Sequence, residues 1–374
     1  MRTQEPPVTR WMSLGLLAVA VVAGCKPLDP VAVTPPPASP LDGVYAPNEA
    51  LRGLEKLTLG DARGPEETAF DAEGRVYTGA LDGRILRLAP RASGGGADVE
   101  TIATTGGRPL GLEFDASGRL IVADAVKGLL AVDPTGSVTV LSTEAGGVPY
   151  GFPDALDIAA DGAVYFSDAS SKWGVHDYML DFLEGRPLGR LIRYDPTTAK
   201  AEVVAKDFYF SNGVALSADG DFVLVNETWA YRIRRVWLTG PKAGTVEPFV
   251  DDLPGFPDGI SRSPRGTFWV ALFTVRDPMG DWLAPHPTLK WIVGNLPKAL
   301  MPKPKPYGFA VEVDASGRVV RTLQDPTGQD IQHVSSVHEN AGALYLGTLD
   351  GSHVGRVELH PPSKGAGPTH GSEG

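Results

Sequence analysis

Short apolar runs alternate with turns along this chain, and the alternation keeps one grammar. Runs rich in β-branched and aromatic residues recur as RVYT at 75–78, RLIV at 119–122, AVYF at 163–166, DFVLV at 221–225, TFWV at 267–270 and ALYL at 343–346. Apolar runs this short, bounded by turn residues, predict β-strands. Each is introduced by a glycine (Gly74, Gly118, Gly162, Gly220, Gly266 and Gly342), as hairpin turns with positive φ require. Partner strands follow as GRILRL at 83–88, GLLAV at 128–132, GRLIRY at 189–194 and YRIRRV at 231–236, with outer strands at 99–102, 138–141 and 203–204. Six units of about four strands each predict an all-β fold, a six-bladed β-propeller. The sixth unit runs out near Leu359, and segment 54–59 is the piece left to supply its outermost strand.

Two units carry insertions. One, at 170–187, places Trp173, Tyr178, Met179, Leu180, Phe182 and Leu183 at helix-like spacing; the other, at 276–307, is proline-rich and holds Trp282, Trp291 and Leu296. Both readings stand at this point: surface elaboration of their own blades, or a pair of lids over one face, since long loops on a rigid scaffold often carry function.

The flanks differ from the repeats. Arg2 and Arg10 precede an apolar run at 14–23 that is too short to span a bilayer and suits a signal peptide. The run ends in Val22-Ala23-Gly24-Cys25, which resembles a bacterial lipobox. Cys25 is the single cysteine, so residues 1–25 are expected to form a lipoprotein signal that ends at an acylated Cys25 and leaves the mature chain without a disulfide. With Lys26 rather than Asp after the cysteine, the expected location is the bacterial cell envelope, at the outer membrane. Residues 26–45 read as a proline-rich tether, 46–360 as the propeller and 361–374 as a disordered tail. The formal net charge of −11 sets nucleic acid aside as a partner.

A second pattern lies within the repeats. The segment entering each innermost strand recurs with equivalent residues Glu66, Leu110, Asp154, Asn212, Asp258 and Ser335, the first three separated by 44 residues each time. Rotation about a propeller axis brings such positions together at the central channel. Four of them offer carboxylate or amide oxygens, and three like charges held close repel unless neutralised. A hard cation such as Ca²⁺ accepts such ligands. The plainer alternative makes Asn212-Gly213 and Asp258-Gly259 ordinary turn dipeptides.

From about residue 46 to 360 the chain resembles the strictosidine synthase-like family, in its adipocyte plasma membrane-associated protein and hemomucin branch. The resemblance rests on YFSDASSKW at 165–173, GRLIRYD at 189–195, Asn212-Gly213, FVLV at 222–225, RIRRV at 232–236, GFPD at 255–258 and VHE at 337–339. More distantly it is similar to the senescence marker protein and gluconolactonase group, whose channel metal is held by a glutamate, two asparagines and an aspartate. Carried over by position, these are Glu66, Asp154, Asn212 and Asp258, with Asp154 departing from the usual Asn. The resemblance implies a calcium-dependent hydrolase of lactones or aryl esters, with Asp258 as base by analogy, acting on a small-molecule substrate. The strictosidine synthase reaction itself is not expected, because Ser335 stands where that enzyme has its last-blade glutamate. His338 is either a second polar group near the channel mouth or a strand histidine bonded between blades. No Gly-x-Ser-x-Gly or His-Glu-x-x-His motif is present. The competing class is a non-catalytic surface propeller that binds a ligand or partner around a structural cation.

Overall fold

The six glycines that open the repeated runs have φ between +74° and +83° in the computed structural model, which describes residues 26–91 and 96–359. Each turn joins the first two strands of a four-stranded antiparallel sheet, and six such sheets form the six blades. The innermost strands are Thr68–Phe70, Pro109–Phe114, Pro153–Ile158, Ser211–Leu216, Gly255–Arg262 and Val334–Asn340, each packed beside the next around the axis. The missing strand of blade 6 is Glu55–Thr58, which pairs with His353–Glu358 in the register Glu55 to Arg356 and Leu57 to Val354. An ion pair of 2.9 Å between Arg356 and Glu55 reinforces that closure.

Apolar layers fill the six blade junctions. Ile85 and Tyr77 meet Leu112 and Val122 between blades 1 and 2, Phe166 meets Ile121 between blades 2 and 3, and Trp269 meets Val337 and Leu344 between blades 5 and 6. Trp269 and Phe166 are fully buried, and each supplies a large share of the hydrophobic stabilisation of its junction.

Both insertions join the second and third strands of their blades. In blade 3 the insertion contains α1, Tyr178–Glu184, closed by Gly185 in the left-handed conformation. In blade 5 it contains α2, Pro278–Leu283, whose N-terminus is capped by the Asp277 carboxylate accepting from Met279 N–H, and α3, Pro287–Gly294. Trp173, Leu180, Leu183 and Leu283 bring the two insertions into one apolar cluster.

Residues 26–45 correct the expectation of a tether. The chain from Lys26 to Pro37 is a strap laid across both insertions. Leu28 is buried in their shared cluster, Val31 N–H donates to Glu184 O and Val33 N–H to Ala284 O. Proline-rich chain has few N–H donors, so its carbonyls are left to accept. Cations satisfy them: Lys172 on Pro27 O at 3.1 Å, Arg186 on Asp29 O at 3.1 Å, Lys290 on Val31 O at 2.6 Å, and Arg276 on Pro36 O and Pro37 O. Burial pushes the Lys290 ammonium down to about 8. Cys25, with the rest of 1–25, and the tail at 361–374 lie outside the described residues.

A strap and a tether differ in one measurable respect. Leu28→Ala should lower stability by about 2–4 kcal/mol, the cost of emptying a buried leucine site, read as a lower thermal midpoint. A free tether would leave the midpoint unchanged.

Candidate functional site

The ring positions reach the axis through a backbone irregularity that recurs from blade to blade. Strand register slips between Pro109 and Gly111, Pro153 and Leu156, Ser211 and Val214, Pro257 and Ile260, and Val334 and Ser336. Each bulge re-aims one side chain, and that side chain is Leu110, Asp154, Asn212, Asp258 or Ser335. Glycine follows three of them because the next blade's backbone comes close: a Cβ on Gly111 would stand 2.5 Å from Asp154 O, one on Gly213 2.5 Å from Asp258 O, and one on Gly259 2.5 Å from Ser335 O. Asn212-Gly213 and Asp258-Gly259 are therefore strand residues at a crowded axis rather than turn dipeptides.

Glu66, Asp154 and Asn212 line one cavity on the axis with Leu110 and Ser335. Asp258 belongs to the same group: its carboxyl accepts a hydrogen bond from Asn212 and feels the charge of Glu66. Its backbone is fixed by Asn226 Nδ2 donating to Asp258 O at 2.5 Å and Thr228 Oγ1 donating to Pro257 O at 2.8 Å. The Ser335 and Ser336 hydroxyls both donate to Glu66 O, at 2.8 and 2.7 Å, which commits Ser335 to the backbone of blade 1. Asp168, in the longest of the family-like strings, has a bracing role. Its carboxylate accepts from Gly151 and Phe152 N–H and pairs with Arg190 at 2.5 Å, holding the entry to the strand that carries Asp154.

Electrostatically the ring is unbalanced. Burial pushes Glu66 up to about 7, with Arg108 opposing and Glu67 adding to the rise. Burial, then Glu66 and Asp258, raise Asp154 well above the usual carboxylate range. Burial and then Glu66 do the same to Asp258, with the Asn212 hydrogen bond opposing. Arg108 is the cation of this group, buried, with one guanidinium nitrogen donating to Gly64 O at 2.8 Å and Nε without a partner. Glu66 Oε2 is likewise buried with no partner. Glu66 and Asp154 thus share one arginine, which does not reach Asp258.

No three His, Cys, Asp or Glu side chains among the described residues stand in gripping positions for an ion. The donor set is nonetheless all oxygen, undercompensated and left with an orphaned carboxylate oxygen. It fits a hard divalent cation, which Glu66, Asp154, Asn212 and Asp258 would hold.

A second tier follows three residues on along the same strands. Asp157 and Glu113 accept from Leu216 N–H at 2.7 Å and Ile158 N–H at 2.8 Å. His338 Nε2 lies 2.8 Å from Glu67 Oε1, so the histidine is bonded between blades 6 and 1. Burial pushes Asp157 up to about 6. His338 is raised despite its burial, because the Glu67 carboxylate it touches and Asp157 favour its charged form. The ring register legible in the sequence predicts these positions, yet Glu113 and Asp157 were not among the expected site residues. Arg108 was missed too; its signal is a basic residue two positions before Leu110, the one apolar member of the ring.

Over the mouth stand Phe152, Phe210, Val175, Tyr178 and Trp229, with ring centroids of 5.4 Å for Phe152–Phe210 and 4.7 Å for Phe210–Trp229. Tyr178, the first residue of α1, is near enough to feel Asp258 and Asp350. The blade-3 insertion therefore leans over the site. A larger, mostly apolar cavity under the strap, lined by Val33, Phe182, Trp229 and Tyr231, contains none of the ring oxygens.

Comparison with known proteins agrees with this architecture. The strictosidine synthase family model matches residues 154–241, and the model for the N-terminal part of strictosidine synthase-like proteins matches 43–88. Adipocyte plasma membrane-associated protein of Rattus norvegicus is 37% identical over 358 residues, covering 89% of this chain and 93% of that one. The chain belongs to the strictosidine synthase-like family. A strictosidine synthase-like protein of Arabidopsis thaliana is 36% identical over 320 residues, covering 83% of this chain and 82% of its own. Among solved structures, a gluconolactonase of Xanthomonas campestris superposes with a TM-score of 0.59 at 18% identity, covering 90% of this chain and 98% of that one. Regucalcin, a calcium-binding protein of Agrobacterium tumefaciens, gives 0.51 at 15% identity, covering 80% and 96%. At these identities the shared property is the fold.

The relatives correct one expectation. They are animal and plant proteins aligned along most of the chain, and this overturns the assignment to a bacterial cell envelope and its outer membrane. That assignment rested on Arg2, Arg10, the apolar run at 14–23, the string Val22 to Cys25 and Lys26 after it.

The charge imbalance has a pH signature. Carboxyls raised by burial lend stability that is full below their ordinary values and is lost as pH rises through the raised ones. In chelator, the thermal midpoint should fall as pH climbs through about 7, the value for Glu66. Added Ca²⁺ should reduce that fall, since binding to the native state stabilises it. A midpoint indifferent to both would count against the ring as a cation site.

Proposed function

We propose that the protein is a divalent-cation-dependent hydrolase, with Ca²⁺ the fitting ion, acting on lactones or aryl esters at the mouth of the central channel. The observation that carries this reading is the buried oxygen ring of Glu66, Asp154, Asn212 and Asp258, undercompensated by Arg108 and roofed by aromatic side chains. The solved structures that share the fold supply the scaffold only; the chemistry is argued from the residues.

When bound, a cation at this ring would supply Lewis-acid polarisation of the substrate carbonyl. Asn212 holds the Asp258 carboxyl by a hydrogen bond, which orients it to take a proton from an attacking water. That water adds to the acyl carbon, the acyl carbon–oxygen bond breaks, and the leaving alcohol or phenol takes up a proton. Phe152, Phe210, Trp229 and Tyr178 keep bulk water off one side of the mouth, and the half-buried Trp229 and Tyr178 offer ring faces to an aryl or alkyl group. Ser335 has no part in proton transfer, because its hydroxyl is committed to Glu66 O.

Turnover of a panel of lactones and aryl esters, measured with and without chelator, tests the class. Two variants then separate ligand from base. Asn212→Ala should weaken cation affinity, with activity partly restored by excess Ca²⁺. Asp258→Asn keeps an oxygen ligand and loses basicity, so turnover should fall by about 10²–10⁴-fold even at saturating Ca²⁺. Full turnover in that variant would remove Asp258 as the base. A panel with no chelator-sensitive turnover would favour a ligand-binding propeller instead.

A further inference from the structure

The blade-5 insertion presents an apolar face that nothing in the fold covers. Met279 is 62% exposed, Trp282 61%, Trp291 37%, Ile292 48% and Leu300 66%. Among the described residues, every other large exposed hydrophobic is a leucine or valine outside this insertion, so the concentration here is specific. It is also built as a face. Met279 and Trp282 stand three apart on α2, on the same side of the helix, while Leu283 turns inward to the cluster with Leu28 and Leu180. On α3, Lys290 and Gly294 are buried, whereas Trp291 and Ile292 face out.

The charge around this face reverses that of the molecule. The chain carries −11 overall, yet between Pro278 and Lys305 it has three exposed lysines and a single acid, Asp281, with Asp177 3.9 Å from Lys298. Asp281 is engaged by Arg276 at 2.8 Å. Lys298, Lys303 and Lys305 are exposed beside Leu300. Protein–protein interface cores are depleted in lysine. Exposed tryptophans on short helices followed by exposed lysines are instead the composition of a segment lying in a lipid headgroup layer.

Continuity adds a second argument. Lys26 N–H donates to Asn295 Oδ1 at 2.9 Å, and Asn295 is the C-cap of α3. The apolar run at 14–23 is joined to Lys26 through Gly24 and Cys25, so it connects to the fold beside this face.

We propose that α2, α3 and the segment through Lys305 form a docking surface for an anionic lipid membrane. Trp282, Trp291 and Leu300 enter the headgroup layer, and Lys298, Lys303 and Lys305 meet its charge. This reading is independent of any activity at the axis. Because α2 and α3 share an apolar cluster with α1, and α1 leans over the channel mouth, docking would set that mouth close to the lipid surface.

The test uses the full chain, with Cys25→Ser and one new cysteine bearing an environment-sensitive fluorophore. The cysteine is placed at Trp282→Cys, or at Val140→Cys as a control, since Val140 is exposed on blade 2. The probes are vesicles of phosphatidylcholine with or without phosphatidylserine. The label at 282 should shift to the blue and be quenched by lipid-borne quenchers on phosphatidylserine vesicles, and the label at 140 should do neither. Lys298→Gln, Lys303→Gln and Lys305→Gln together should weaken the response at least tenfold in lipid concentration, since each lysine near an anionic surface contributes about fivefold. A label at 282 that stays in water while the chain floats with vesicles would overturn the proposal, as binding would then belong to the 14–23 run alone. A blue shift without lipid that grows with protein concentration would assign the face to self-association. An equal shift on phosphatidylcholine alone would overturn the anionic surface.

Discussion

Close approach of backbone to backbone at the axis governs this molecule. Six inner strands converge there, and at Gly111, Gly213 and Gly259 the neighbouring carbonyl takes up the space of a side chain. Only glycine permits that distance. In five of the six blades a bulge in the inner strand turns one residue toward the channel. A larger residue at any of the three glycines would push a blade outward and move a site oxygen with it.

Convergence has an electrostatic cost, which the fold leaves partly unmet. Glu66, Asp154 and Asp258 are buried beside one another, and Arg108 is a cation to Glu66 and Asp154 alone of the three. A fold selected for stability alone gains nothing from orphaning Glu66 Oε2. Such local conflicts with the general rules of packing concentrate at functional sites. The apolar junctions between blades supply the rigidity that keeps these acids in place.

Much of this was legible in the sequence because a repeat protein writes its geometry as spacing. The turn glycines marked six units, the strand at 55–58 was the piece missing from the last, and constant register placed Glu66, Asp154, Asn212 and Asp258 together. What escaped depended on contacts that spacing does not encode. Arg108 enters the site from the unit whose own ring residue is Leu110, and position alone did not reveal that its guanidinium turns inward. The prolines of 26–45 read as a stiff spacer, but their carbonyls are anchored by lysines and arginines 145 to 259 residues away. The pairs Asn212-Gly213 and Asp258-Gly259 have the composition of turns, and only the abutting blade shows why glycine is there.

The way the ring closes bears on how the chain acquires its shape. Strand Glu55–Thr58 belongs to the blade whose other three strands come last in the sequence. During synthesis it is the first propeller strand to emerge and the last to find its partner, His353–Glu358. Until then its edge is unpaired, and unpaired edges invite association with other chains. Its alternation of Glu55 and Lys56 with buried Leu57 puts charge on that waiting edge. A nascent chain halted before residue 353 would hold five blades and the two inner strands of the sixth, so pairing of His353–Glu358 with Glu55–Thr58 is the event that locks the ring shut.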